Sequence, residues 1–112
     1  MAFAFSGGGQ NYVLIRGGGT SVAAPLWAAV IALANQEAGR DLGFIDPALY
    51  RIGRSTHYHR AFHDVTMGTN TVKFSALTIT GDPATPGWDP VTGWGSPNAQ
   101  ALVPLLARHA SS

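Results

Sequence analysis

Apolar and polar positions change character three times along the chain. Residues 7–21 hold a short β-type stretch, Tyr12–Ile15, between the triplets Gly7-Gly8-Gly9 and Gly17-Gly18-Gly19. Residues 22–51 are helical in character: Val22 to Ala38 is rich in Ala, Leu and Trp and reads as one helix closing near Gly39. A second, short helix is expected after Asp46, with Asp46 as N-cap and Pro47 at the first helical position. Residues 52–98 are dominated by turn residues, with one β-type segment around Thr71–Thr80. Ser96-Pro97 reads as the start of a terminal helix that runs to about Arg108 and carries Leu102, Val103, Leu105 and Leu106 on its apolar face. Pro104 lies inside that pattern, where it should kink the helix or end it early. No internal repeat is visible.

The Val22–Ala34 run is apolar nearly all round, which calls for packing on several sides. One such helix and two short β segments do not close a two-layer core. The expectation is therefore part of a larger α/β unit, incomplete as an independent domain. At 13 residues the same run is well short of the ~20 that span hydrocarbon, so a membrane role is not expected. The start of the chain has no basic segment and too short an apolar run for a signal peptide.

Composition narrows the chemistry. Of the 112 residues 12% are charged, half the roughly 25% of ordinary soluble domains, and the formal net charge is +1. Without a Lys/Arg cluster to neutralise a run of phosphates, nucleic acid is excluded as a partner. The absence of cysteine removes disulfides, thiol catalysis and cysteine-ligated zinc.

The most informative N-terminal segment is Gly18-Gly19-Thr20-Ser21-Val22-Ala23-Ala24-Pro25. Glycines allow a sharp turn and a close substrate backbone. Ser21 then stands at a helix N-terminus, where unpaired N–H groups and the positive dipole end favour a developing oxyanion. A serine so placed is either a nucleophile or an ordinary N-cap. Glu37, the sole glutamate, lies 16 residues further along the same helix, roughly 24 Å at 1.5 Å rise per residue. A general base has to stand within ~3 Å of the hydroxyl or one water away, so Glu37 does not qualify. His57, His59 and His63 suggest a zinc site or a triad base, but their spacing is unspecific and they read as solvated loop residues.

Gly-Thr-Ser-x-x-x-Pro opening a small-residue helix resembles the nucleophile segment of two peptidase families: subtilases, with a Ser-His-Asp triad, and sedolisins, the serine-carboxyl peptidases, with Ser-Glu-Asp. The downstream residues favour sedolisins. Phe44-Ile45-Asp46-Pro47-Ala48-Leu49-Tyr50 resembles a stretch of that family. So do Phe62-His63-Asp64-Val65-Thr66 and the run from Gly87-Trp88-Asp89 through Thr92-Gly93-Trp94-Gly95-Ser96-Pro97-Asn98, which are similar to the calcium-binding end of the catalytic domain. The likeness covers residues 11–106.

The resemblance implies the C-terminal portion of a subtilisin-like, parallel-sheet α/β peptidase fold. Its parts would be a nucleophile helix about 20–38, a calcium loop about 62–95 and a terminal helix about 97–108. It implies Ser21 as nucleophile and one Ca2+ ion bound by the Asp64 and Asp89 side chains and the carbonyls of Val65, Thr85 and Gly87. Thr85 stands where the family usually has glycine, so a glycine-type backbone angle is not assumed there. By themselves Asp64 and Asp89 read equally as turn caps. Trp88 and Trp94 are expected to cover the calcium loop and pack it on the terminal helix.

In sedolisins the base Glu, its partner Asp and the oxyanion Asp precede the serine; the 20 residues before Ser21 contain no acid. The expected function is peptide-bond hydrolysis at acidic pH, in an extracellular or acidic compartment, with the chain alone inactive. The polypeptide substrate, and a separately made N-terminal part of the domain, are the expected partners. The competing reading is an inert calcium-binding module with a structural role. Because the ion would close a loop of 25 residues, metal-free protein is expected to be mobile over 64–89 and to melt earlier.

Overall fold

A computed structural model describes residues 2–7 and 11–110, with side chains described from Arg16 onward. The chain divides into two compact units, residues 1–33 and 34–112.

In the first unit, β1 (Ala2–Gly7) and β2 (Asn11–Arg16) form an antiparallel pair in the register Ala2↔Arg16 to Gly7↔Asn11. The expected strand Tyr12–Ile15 lies within β2. Helix α1 (Thr20–Ala38) follows Gly19, whose φ of +102° belongs to the region that glycine occupies at little cost. The carbonyl of Gly19 accepts from the amides of Val22 and Ala23, both at 3.1 Å, and so opens the helix. Pro25 stands at the sixth helical position rather than in the first turn. The bond it forgoes is the one its amide would otherwise make to the Ser21 carbonyl. Helix α1 continues into the second unit and ends before Gly39, as its composition predicts.

The second unit is built on three helices: α2 (Asp46–Gly53), α3 (Tyr58–Ala61) and α4 (Ala99–His109). Helix α3 packs on α2 and α4, and α2 packs on α4. Ile52, Leu102, Leu105 and Leu106 are fully enclosed, joined by Ala48, Tyr58, Ala61 and Phe62. Val103, expected on the same face, is only half-buried. The N-cap of α2 is Ile45 rather than Asp46. Asp46 is the first helical residue, makes no capping bond, and places its charge beside the positive dipole end.

Two further expectations change. Ser96-Pro97 is a strand, β6, not a helix start: it pairs antiparallel with β3 (Phe62–His63) through Phe62↔Pro97 and His63↔Ser96. Its partner is more than thirty residues away in sequence, a contact that local pattern does not reveal. Helix α4 then begins after Asn98, whose amide bonds the Ala61 carbonyl at 2.8 Å and whose Nδ2 bonds the Arg60 carbonyl at 3.0 Å. Pro104 does not end α4. Like Pro25 it sits at the sixth position, so the loss is confined to one carbonyl near the helix start, that of exposed Gln100.

The β-type segment at 71–80 is a hairpin, β4 (Val72–Phe74) with β5 (Leu77–Ile79), with every strand residue exposed. All three described sheets are antiparallel pairs. They make the chain mixed α/β, and no parallel sheet occurs among the described residues.

The carbonyl end of α4 is held by cations: Arg40 donates to the Ala110 carbonyl at 2.7 Å and Arg51 to that of His109. Both bonds satisfy groups the helix leaves open and oppose its negative dipole end. Arg40→Ala should therefore lower stability by about 1 kcal/mol, read as a downward shift of the urea midpoint with unchanged slope.

Candidate functional site

The residues singled out by sequence fall into two groups. Ser21 is the second residue of α1, exposed, within the turn that Gly19 opens. That is the position expected for it. Glu37, exposed in the last turn of α1, belongs to the other end of that helix.

The second group lies in the loop between β3 and α4. Asp64 directly follows β3, and the β3–β6 ladder brings residue 95 against it. A Cβ on Gly95 would run into the His63 carbonyl and come within 3.2 Å of the Asp64 Cα; Gly95 also has φ +101°. Only a residue without a side chain allows the two backbones to approach so closely.

Asp89 is 1% exposed, the one buried charged residue among those described. A buried carboxylate has to be hydrogen-bonded, and this one is. Oδ1 accepts from the amides of Val91 (2.9 Å) and Thr92 (2.7 Å); Oδ2 accepts from the Thr92 hydroxyl (2.8 Å) and the Thr85 amide (3.2 Å). Main-chain bonds in both directions between Asp89 and Gly93 close the turn. Burial by itself would raise the Asp89 pKa, but the hydrogen bonds from Thr92, Thr85 and Val91 favour the ionised form and lower it overall.

Asp64 is half-buried. Its Oδ2 accepts from the Gly87 amide at 2.7 Å, while Oδ1 is buried without a hydrogen-bond partner. Tyr58 lies beside both carboxylates and donates to the Trp94 carbonyl at 2.7 Å. Its phenol is pushed up to about 12, by burial first and then by Asp64 and Asp89. The amides of Thr85 and Gly87 thus reach one carboxylate each and draw the 85–87 segment toward both. Thr85 sits there without the left-handed backbone of a glycine.

Trp94 packs on α2 and α3. Its ring meets Tyr50 (5.7 Å) and Tyr58 (5.3 Å) edge-on and lies over Gly53, where a Cβ would strike it. Trp88 is 47% exposed and, with Tyr50, Arg54 and Trp94, lines an open cleft of about 410 Å³.

The histidines are not loop residues throughout. His57 caps α3 and its Nδ1 meets the Arg60 guanidinium at 2.7 Å; His59 is in α3 against Tyr58; His63 is in β3, opposite Ser96. Among the described residues no three His, Cys, Asp or Glu side chains gather as a metal-binding group.

No protein-family model matches the chain. Kumamolisin of Bacillus sp. (strain MN-32) is 42% identical over 94 residues, 84% of this chain and 16% of that protein. The chain belongs to the sedolisin family. Tripeptidyl-peptidase sed1 of Aspergillus fumigatus is 40% identical over 80% of the chain, and tripeptidyl-peptidase 1 of Homo sapiens 37% over 79%. The chain spans only 13% and 16% of the length of these two relatives. The stretches around Ser21, Asp64 and Asp89 were singled out in sequence. The place of Tyr58 beside the carboxylates was not, since it carries no motif of its own. The grip of Thr92 on Asp89 was missed, although an Asp with Thr three residues on is a local turn signal.

Two outcomes follow for this loop. Gly95→Ala should cost about 1–3 kcal/mol, since it adds backbone strain and breaks the approach to His63, measurable by chemical denaturation. The Asp89 pKa is lower folded than its ordinary 3.8, so its stabilisation is present above about pH 4 and is lost as pH falls through the lower folded value. Acid unfolding of Asp89→Asn, followed by circular dichroism, should accordingly show a shallower pH dependence than wild type below pH 4.

Proposed function

We propose that this chain carries the nucleophile segment and calcium-binding end of a serine-carboxyl peptidase, hydrolysing peptide bonds through an acyl-enzyme on Ser21. The observation that carries this reading is the position of Ser21 at the start of a glycine-opened helix, within a stretch 37–42% identical to peptidases. The amides of Val22 and Ala23 bond the Gly19 carbonyl, which leaves those of Thr20 and Ser21 at the helix start to suit an oxyanion. Sedolisins carry the general base before the serine, and the 20 residues before Ser21 hold no acid, so on this reading the base lies outside these 112 residues. The surrounding fold would be the subtilisin-like parallel-sheet domain, with this chain as its C-terminal portion.

A Glu base suits an acidic setting. A carboxylate with pKa near ~4.3 stays ionised where a histidine near ~6.5 is already protonated. The compartment proposed is extracellular or acidic. No helix among the described residues is long and apolar enough to cross a membrane.

The proposed ligands of one calcium ion are Asp64 and Asp89, with the carbonyls of Val65, Thr85 and Gly87. These are hard oxygen donors of the kind calcium takes. The buried, unpartnered Oδ1 of Asp64 supports the assignment, because an acceptor without a donor is what a cation would satisfy. When bound, the ion would neutralise the carboxylates and close the loop between them.

The purified chain should show no turnover of a peptide substrate at acid pH, since an unassisted serine hydroxyl is a weak nucleophile. Adding an N-terminal sedolisin segment that carries the Glu and Asp should restore cleavage, and Ser21→Ala should abolish it. Cleavage that survives Ser21→Ala would overturn the assignment; no rescue with any such segment would favour the inert module. Calcium at neutral pH should raise the melting temperature in wild type and not in Asp64→Ala, read by scanning calorimetry.

A further inference from the structure

The Asp89 carboxylate has about four lone-pair sites, and four donors occupy them. All four come from residues 85–92, so the arrangement forms within the loop itself. Among the described residues Thr92 alone donates to both oxygens, its amide to Oδ1 at 2.7 Å and its hydroxyl to Oδ2 at 2.8 Å. A two-point grip of this kind fixes the rotation of the carboxylate as well as its location.

Resting on the calcium reading above, we propose that Thr92 is a positioning residue for the calcium site. It holds Asp89 in one orientation in a turn, residues 85–93, that is assembled before the ion arrives, so that any mobility of metal-free protein is confined to the part of 64–89 before this turn. Any cation reaching Oδ2 meets two donors already there. The Thr85 amide, at 3.2 Å, is the longer and yields first; the Thr92 hydroxyl stays and keeps the remaining oxygen geometry fixed. Ligands held by outer partners bind metal more tightly because less ordering is left to the binding step. The opposite relation is competition, in which the hydroxyl blocks a lone pair the ion needs.

The test uses the whole 112-residue chain as wild type, Thr92→Val and Thr92→Ser. Calcium chloride alone is titrated calorimetrically, and amide hydrogen exchange is followed in EGTA. Wild type should protect the Val91 and Thr92 amides without calcium. Thr92→Val should weaken calcium binding about tenfold or more, and Thr92→Ser, which keeps the hydroxyl, should restore it to within about threefold of wild type. Equal or tighter binding by Thr92→Val overturns the positioning role. Unprotected amides in EGTA overturn the preassembled turn, a result available from wild type even if Thr92→Val does not fold. Wild type with protected amides and no calcium heat would remove the calcium reading, and with it the role of Thr92 toward the ion. Calcium binding that Thr92→Val leaves unchanged would remove the role of Thr92 alone.

Discussion

A carboxylate buried in a small protein has to be surrounded by donors, and Asp89 meets that constraint with groups from its own loop. The cost of leaving such a charge unsatisfied far exceeds what a flexible, glycine-rich loop could otherwise gain by ordering. Residues 85, 91 and 92 are therefore drawn around one side chain, and Gly93 closes the turn on the Asp89 main chain. The loop has few apolar residues with which to form a core, and its shape follows from this polar centre.

The same centre is anchored to the helices at its two ends. On one side the β3–β6 ladder and the close approach at Gly95 bring Asp64 near the turn. On the other, Trp94 inserts between Tyr50 and Tyr58 and offers its carbonyl to the Tyr58 hydroxyl. Asn98 then ties the start of α4 to the end of α3. The apolar packing of α2, α3 and α4 and the polar order of the loop are thus continuous, and a change in either should be felt by the other.

The segment around Ser21 obeys a different economy. Gly19 turns the chain, its carbonyl starts α1, and Pro25 withholds the amide that would have bonded Ser21. Each of these features is local, and together they set a serine hydroxyl among helix-start amides. On the proposed reading they would need a base from elsewhere, since none of these local features supplies one.

Much of this was legible along the chain because it depends on neighbours in sequence. The α1 helix, the β2 strand, the glycine at the close of α1, the Ser21 position and the two aspartates follow from periodicity, from glycine conformations and from motifs of a few residues. Other features needed tertiary structure. Ser96-Pro97 became a strand because Phe62-His63 lies beside it. Trp94 found its place against α2 and α3 because Gly53 leaves room for its ring. Tyr58 came to lie beside the carboxylates only once folding set α3 against the loop. Local preferences set which elements form, since they act within a helical turn or a strand pair. Partner choice was decided by burial, which is a property of the folded chain as a whole.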